Sequence, residues 1–203
     1  MKRTVLFLCT GNYYRSRFAE ELFNHKVAAH GLAVRFQHSH PVSVRSHANV
    51  AIKGPLANIS ASGAVDLTFA SRDGGLGVAN VKSAPLRWQA QSRALAVERG
   101  VHNIGPLSPF ALQALQARGC SPTGAGRMPR QCAAIDFEGA QRIIALNEPE
   151  HRPLIRERFP EWEQRVHFWQ VEDVGFVRPD VALAAIEQHI DALLRTLRSV
   201  AGE

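Results

Sequence analysis

The beginning of the chain places a short apolar segment directly before a polar loop and an amphipathic segment. Residues 4–8 read Thr-Val-Leu-Phe-Leu, which is typical of a buried strand. After Arg15 the apolar residues recur with helical spacing, at Phe18, Ala19, Leu22, Phe23 and Val27. A strand that leads through a short loop into a helix is the building unit of α/β folds. This unit constrains the fold more than any other feature of the sequence.

Further segments with strand character alternate with helical patterns along the chain. The strand segments cover residues 86–92, 142–146 and 165–171. The helical patterns follow Ser108, cover residues 149–159 and follow Pro179. This alternation predicts an α/β fold in which a parallel sheet is covered by helices on both faces. Ligands in such folds bind beyond the carboxyl ends of the strands, where Cys9 and Asp173 both fall.

The loop from Cys9 to Ser16 has the sequence Cys-Thr-Gly-Asn-Tyr-Tyr-Arg-Ser. Unpaired amides in the first turn of a helix point toward such a loop, and the helix dipole adds partial positive charge there. Both effects stabilise a bound anion, and they also favour the thiolate form of a cysteine. We therefore predict a phosphate-binding loop in which Cys9 is the nucleophile.

Four other residues suit the same loop. The planar guanidinium of Arg15 can make two parallel hydrogen bonds to phosphoryl oxygens. Gly11 lets the backbone approach a ligand closely, and Asn12 tolerates left-handed dihedral angles. The Ser16 hydroxyl is placed to donate to the Cys9 sulfur. The alternative is that Cys9 is a buried strand-end cysteine without a chemical role, because cysteine and arginine at this spacing also occur by chance.

Together these residues resemble the N-terminal signature of the low-molecular-weight protein tyrosine phosphatases. That signature is a strand, the sequence Cys-x-Gly-Asn-x-x-Arg-Ser and a helix that opens with an Ala-Glu pair. The matching residues are Cys9, Gly11, Asn12, Arg15, Ser16, Ala19 and Glu20. From Trp88 to the C-terminus the order of the predicted elements resembles the family again. The resemblance implies a three-layer αβα fold with a central four-stranded parallel sheet.

The resemblance also implies a reaction, the two-step hydrolysis of a phosphomonoester without a metal or another cofactor. Cys9 attacks phosphorus to form a cysteinyl-phosphate, while Arg15 and the loop amides bind the equatorial oxygens. The loop residues predicted to bind the substrate are Thr10, Gly11, Asn12, Tyr13, Tyr14 and Ser16. Phosphotyrosine in a protein, a phosphorylated arginine and a small phosphorylated metabolite all stay open as substrates.

The leaving group needs a proton, and the family takes it from an aspartate in an Asp-Pro-Tyr type segment before the last helix. Asp173 is the residue that corresponds in this chain, and Glu172 is the alternative donor. The neighbours depart from the family pattern, because Val174 replaces the proline and Gly175 replaces an aromatic residue. Phe176 alone keeps aromatic character.

Two further departures concern the loop. The family often has a second cysteine just before the arginine, which can protect the nucleophile as a disulfide, whereas this chain has Tyr14. Arg17 replaces the proline that commonly follows the Arg-Ser pair. We expect Arg17 to make the helix entrance more basic and to favour acidic or doubly charged substrates.

Two other functions compete with the phosphatase. An arsenate reductase has a similar fold and loop but relays a disulfide through cysteines after the central strand, where this chain has Leu146, Asn147 and Glu148. Cys120 and Cys132 lie earlier and are predicted to be packing residues. The second alternative is a phospho-anion binding module that kept the loop and lost the chemistry, as the altered surroundings of Asp173 would allow.

Residues 36–85 differ in character from the rest of the chain. They are rich in small and polar residues, carry few charges and show no sustained helical period. Within a single phosphatase-like domain spanning residues 1–203, we interpret them as an insertion of roughly 50 residues, either poorly ordered or folded as a small β-rich flap. The histidines in this segment are predicted to be surface residues rather than metal ligands; they are His38, His40 and His47.

Composition limits the partners and the compartment. The net charge is +6, but no basic run is interleaved with aromatic residues, so nucleic acid is not a predicted partner. No apolar run approaches the roughly 18 residues of a membrane span. Three cysteines do not suggest a disulfide framework, and a required thiolate points to a reducing compartment, which predicts the cytoplasm. The predicted partners are a phosphorylated protein or a small phosphomonoester, and the oligomeric state stays open.

Overall fold

The computed structural model describes residues 2–29, 58–59, 65–70, 76–80 and 87–199. The chain divides into two compact units, Met1–Val34 with Leu86–Glu203, and Arg35–Pro85. In chain order the elements are β1 (Lys2–Cys9), α1 (Arg15–Ala29), β2 (Asn58–Ile59), β3 (Val65–Ala70), β4 (Leu76–Asn80), β5 (Arg87–Ala94), α2 (Pro109–Ala117), α3 (Ala134–Glu138), β6 (Arg142–Ala145), α4 (Glu148–Arg158), β7 (Val166–Phe168) and α5 (Pro179–Ser199). Short 3-10 helices cover Val97–Gly100 and Pro160–Arg165.

A four-stranded parallel sheet forms the centre of the first unit, in the order β5-β1-β6-β7. The first strand is therefore central, which agrees with its apolar sequence, because a parallel strand is buried on both faces. Side chains alternate between those faces: Val5 and Phe7 join one apolar cluster, whereas Leu6 and Leu8 join the other.

Helices cover both faces of this sheet. The apolar residues of α1, α2 and α5 pack in the first cluster, and those of α3 and α4 pack in the second. The predicted three-layer αβα fold with a four-stranded parallel sheet is thus confirmed. In the described part of the chain, no helix has the length and apolarity that crossing a membrane requires.

The last strand is shorter than predicted. The sequence pattern predicts a strand over residues 165–171, but β7 covers only Val166–Phe168. Its single neighbour β6 ends at Ala145, which pairs with Phe168, so the parallel ladder has no partner beyond that point. The chain continues through one antiparallel bridge between Asn147 and Gln170. This bridge brings the segments that follow β6 and β7 together.

The second unit contains a separate antiparallel sheet in the order β2-β3-β4. The interpretation of residues 36–85 as an insertion into a single domain stays a prediction. The proposal that its histidines are surface residues concerns His38, His40 and His47, which lie outside the described residues.

Candidate active site

The predicted site residues meet at the carboxyl edge of the parallel sheet. Cys9 is the last residue of β1, and Arg15 is the first residue of α1. Asp173 follows β7 in the chain and reaches the same edge. Two hydrogen bonds continue the β1–β5 pairing into the loop, from the Leu95 amide to the Cys9 carbonyl at 2.9 Å and from the Ala96 amide to the Thr10 carbonyl at 3.0 Å. The loop therefore starts from a fixed backbone.

The Cys9 sulfur lies in a polar pocket formed by its own loop. Cys9 Sγ and Ser16 Oγ are 3.0 Å apart, as the sequence predicts, and the Asn12 amide donates to the sulfur at 3.3 Å. Gly11 lies in a tight place, because a Cβ there would lie 3.1 Å from Asn103 Nδ2 and that side chain would have to shift by a few tenths of an ångström. The loop thus surrounds the sulfur with donors that suit a thiolate.

Asn12 fixes the turn of the loop. It is fully buried, and its φ of 50° is the only positive value at a non-glycine residue in the described ranges. Its Nδ2 donates to Ser16 Oγ at 3.1 Å and to Ser92 Oγ at 2.8 Å, and its Oδ1 accepts from the Arg130 amide at 3.0 Å. The Asn12 side chain therefore faces the protein interior and its amide faces the Cys9 sulfur, and its role in substrate binding stays a prediction.

A second layer of charged groups supports Asn12. Ser92 Oγ donates to Glu20 Oε2 at 2.5 Å, and Arg127 also donates to that oxygen. Arg17 is fully buried and donates to the carbonyls of Arg127 at 2.7 Å and Gly124 at 2.5 Å. Arg17 therefore does not line the cleft, although its charge still acts on Cys9, and the expectation that it favours acidic or doubly charged substrates stays a prediction. Its guanidinium instead holds the segment that lies against the back of the loop.

Arg15 is almost completely buried, with 2% of its surface exposed. Its Nη1 donates to the Val171 carbonyl at 3.1 Å. Its Nη2 donates to Asp173 Oδ2 at 2.9 Å and to both carboxylate oxygens of Glu150, at 2.9 and 2.7 Å. Burial lowers the pKa of Arg15, but the negative charges of Cys9, Asp173 and Glu150 outweigh it and raise the pKa above its ordinary value.

Glu150 is a site residue that the sequence analysis missed. It lies in the first turn of α4, where its amide donates to the capping Asn147 side chain at 3.0 Å, and its Oε1 accepts from the Thr10 hydroxyl. Burial raises the pKa of Glu150, but His151, Arg15 and Thr10 together lower it by more than burial raises it. The net pKa therefore lies below the ordinary value. A signal for this residue existed, because the segment after β6 reaches the same sheet edge as Cys9.

His151 lies next to Glu150 in the protein interior. It is fully buried, and its Nδ1 accepts from the Asn147 amide at 2.9 Å. In the neutral ring the proton is therefore on Nε2, which lies 3.3 Å from Glu150 Oε1 without an aligned hydrogen bond, and the two form an ion pair only when the ring is protonated. Burial lowers the pKa of His151.

A cleft of about 210 Å³ opens above the sulfur. Its lining residues are Cys9, Gly11, Tyr13, Tyr14, Arg15, Asn103, Ser108, Pro109, Phe110, Asp173 and Val174. The two tyrosines of the loop are anchored at its walls, since Tyr13 donates to the Ile104 carbonyl at 2.8 Å and Tyr14 to the Pro179 carbonyl at 3.0 Å. Burial raises the pKa of Tyr14, so its hydroxyl stays protonated. The cleft above the sulfur therefore has aromatic and apolar walls.

Asp173 is the better placed of the two predicted proton donors. It lines the cleft, its Oδ1 accepts from the Val174 amide at 2.9 Å, and its Oδ2 bonds Arg15. Glu172 is exposed and does not contact Arg15. Gly175 has a φ of 100°, a conformation that favours glycine. The next residue, Phe176, is 83% exposed.

The other two cysteines stay in the interior. Cys120 and Cys132 are buried, and burial raises the pKa of both thiols, that of Cys132 to about 12. Neither thiol suits the thiolate relay of an arsenate reductase. Within the described residues no cluster of histidine, cysteine and carboxylate side chains is arranged to hold a metal ion, and the prediction that none is used stays a prediction.

Residues 4–46 match the sequence model of the family described as low molecular weight phosphotyrosine protein phosphatase. No curated protein sequence matches the chain. Solved structures match over nearly the full length. A low molecular weight protein tyrosine phosphatase from T. tengcongensis has 19% identity and a TM-score of 0.57, covering 96% of this chain and 99% of its own.

Two further structures show the same fold. YfkJ from Bacillus subtilis has 17% identity and a TM-score of 0.61, covering 98% of this chain and 96% of its own. The YwlE arginine phosphatase from Geobacillus stearothermophilus also has 17% identity, with a TM-score of 0.54 and coverage of 97% and 94%.

The fold is that of the solved low molecular weight protein tyrosine phosphatases, and residues 4–46 match that family's sequence model. The resemblance to the low-molecular-weight protein tyrosine phosphatases, which the sequence predicts, is confirmed: the chain has their signature segment at its beginning and their fold in its described residues.

Proposed function

We propose that the chain is a cysteine-dependent phosphomonoester hydrolase. The match to the phosphatase family supports this class of enzyme in general. The observation that carries the proposal is the convergence of three groups at one sheet edge: the Cys9 sulfur in its loop, the buried Arg15, and Asp173 at 2.9 Å from that guanidinium. They supply a nucleophile, a phosphoryl-binding cation and a proton donor.

In the first step the Cys9 thiolate attacks phosphorus in line with the ester oxygen. A bond forms between sulfur and phosphorus, and the bond between phosphorus and the leaving oxygen breaks. Arg15 and the loop amides bind the three equatorial oxygens, where negative charge is spread in the transition state. Asp173 donates its proton to the leaving oxygen, which departs as an alcohol or phenol.

In the second step a water molecule attacks the cysteinyl-phosphate. Asp173, now a carboxylate, accepts a proton from that water, the bond between sulfur and phosphorus breaks, and inorganic phosphate and the Cys9 thiolate are released. Ser16 and the Asn12 amide, at 3.0 and 3.3 Å from the sulfur, stabilise the thiolate as leaving group.

We propose an aryl phosphate of the phosphotyrosine type as the substrate class. The cleft of about 210 Å³ has room for one aromatic ring beside the phosphoryl group, and its walls include Tyr13, Phe110 and Val174. The YwlE relative carries the name of an arginine phosphatase, so a phosphorylated arginine is the substrate to compare. Apolar walls favour a neutral aromatic leaving group over a charged one.

The test is hydrolysis of a chromogenic aryl phosphate by the purified protein and matched variants. Cys9→Ser and Arg15→Ala are expected to abolish turnover, whereas Cys132→Ser is a control expected to be fully active. Asp173→Asn is expected to slow turnover by about 10²-fold or more, the scale of general acid catalysis, whereas Glu172→Gln is not.

Three outcomes would contradict the proposal. A wild-type protein that binds phosphate but turns over no ester would be a phospho-anion binding module. Arsenate reduction that depends on Cys120 or Cys132 would make it a reductase. Equal loss of activity in Asp173→Asn and Glu172→Gln would remove Asp173 from its assigned role.

A further inference from the structure

One nitrogen of Arg15 is surrounded by more hydrogen-bond acceptors than it has hydrogens to donate. Nη2 has two N–H groups, yet three carboxylate oxygens lie within hydrogen-bonding distance of it, two from Glu150 and one from Asp173. A phosphoryl oxygen can therefore receive a hydrogen bond from Nη2 only if a carboxylate oxygen gives up its place. The Nε group has no acceptor among the described residues and stays available to the substrate.

Of the two carboxylates, Glu150 is the more firmly held. Thr10 donates to its Oε1, the capped first turn of α4 favours negative charge at its position, and Oε1 lies 3.3 Å from His151 Nε2. Asp173, in contrast, carries a proton at the moment when it acts as a general acid. Glu150 therefore stays on Arg15 throughout the approach of a substrate.

Arg15 does not need Glu150 for its orientation. Its Nη1 is fixed by the Val171 carbonyl at 3.1 Å, a contact that involves neither carboxylate. The guanidinium is also 98% buried by packing at the start of α1. Glu150 thus adds negative charge at the phosphate loop without being needed to hold the loop arginine in place.

We propose that Glu150 is an internal competitor of the phosphoryl group for Arg15 and sets the affinity of the loop for phosphate. This inference rests on the proposed function only in that Arg15 binds phosphoryl oxygens. Glu150 lowers the affinity for free phosphate and similar small oxyanions, because these gain nothing from the rest of the cleft. A phosphate ester offsets the competition through contacts of its leaving group with Tyr13 and Phe110. Glu150 thereby favours binding of the phosphate ester over binding of the product, inorganic phosphate.

The test measures phosphate binding without turnover. In the Cys9→Ser background, isothermal titration calorimetry with inorganic phosphate compares the parent with Glu150→Gln and Glu148→Gln. Glu148 lies in the same helical turn and pairs with Arg152 instead, so it is the matched charge control. Glu150→Gln is expected to bind phosphate about tenfold more tightly or better, and Glu148→Gln to bind as the parent does.

Each outcome decides the inference. Unchanged or weaker binding by Glu150→Gln overturns it, and weaker binding would assign Glu150 the role of positioning Arg15. If none of the proteins binds phosphate, this inference and the proposed function are overturned together. If phosphate binds with the same affinity whether or not Glu150 is present, only this inference is overturned. Glu150→Ala, checked by thermal unfolding, gives the same comparison if the Gln variant does not fold.

Discussion

Replacement of Asn12 is the perturbation for which the structure gives the clearest magnitude. Asn12→Ala removes the three side-chain hydrogen bonds to Ser16, Ser92 and the Arg130 amide. A net contribution of about 1 kcal/mol for each bond gives a loss of about 3 kcal/mol. The left-handed φ of 50° costs an alanine about 1 kcal/mol more. We therefore expect the free energy of unfolding to fall by about 4 kcal/mol.

Asn12→Gly is the matched control for the backbone part of this estimate. It loses the same three bonds, but glycine adopts the left-handed conformation freely. Its free energy of unfolding is expected to lie about 1 kcal/mol above that of Asn12→Ala. Both variants should also lose at least about tenfold in turnover of an aryl phosphate, because the loop amides are no longer held in the binding geometry.

Denaturant unfolding followed by tryptophan fluorescence measures these differences, and the activity assay runs on the same samples. A loss below about 1 kcal/mol for Asn12→Ala would show that the buried bonds do not hold the loop. A glycine variant less stable than the alanine variant would refute the argument from the dihedral angle.

Three further predictions concern other parts of the chain. Arg17→Lys should lower the free energy of unfolding by about 1.5–3 kcal/mol in denaturant titrations, because one ammonium cannot reproduce both carbonyl bonds. Burial lowers the pKa of His151 from its ordinary value of 6.5, so its neutral form stabilises the fold above that pH and the contribution is lost as pH falls below it. Unfolding at about pH 7.5 and about pH 5.5 should therefore show a smaller acid loss for His151→Gln than for wild type. Replacing residues 38–84 with a Gly/Ser linker should leave a folded, active protein, and loss of soluble expression would place that segment in the core.

Local patterns in the sequence were sufficient for most of the first unit. The apolar run before Cys9 and the helical spacing after Arg15 predict β1 and α1. The spacing of apolar residues over a few positions is enough to indicate a buried strand or a helix with one buried face. The same holds for α5, whose apolar stripe forms one side of the core. The end of β7 was not predictable in this way, because it depends on where β6, a distant segment, stops.

The sequence by itself determined the loop that we predict to bind phosphate, since its cysteine, glycine, asparagine, arginine and serine stand within eight consecutive residues. Only the tertiary structure decided what surrounds them. Glu150 bonds Arg15 across 135 positions, and Ser92 bonds Asn12 across 80. Arg17 turned inward because the carbonyls of a segment about a hundred residues away accept its hydrogen bonds. Contacts of this kind arise when parallel strands bring separate parts of the chain to one edge, and no local periodicity records them.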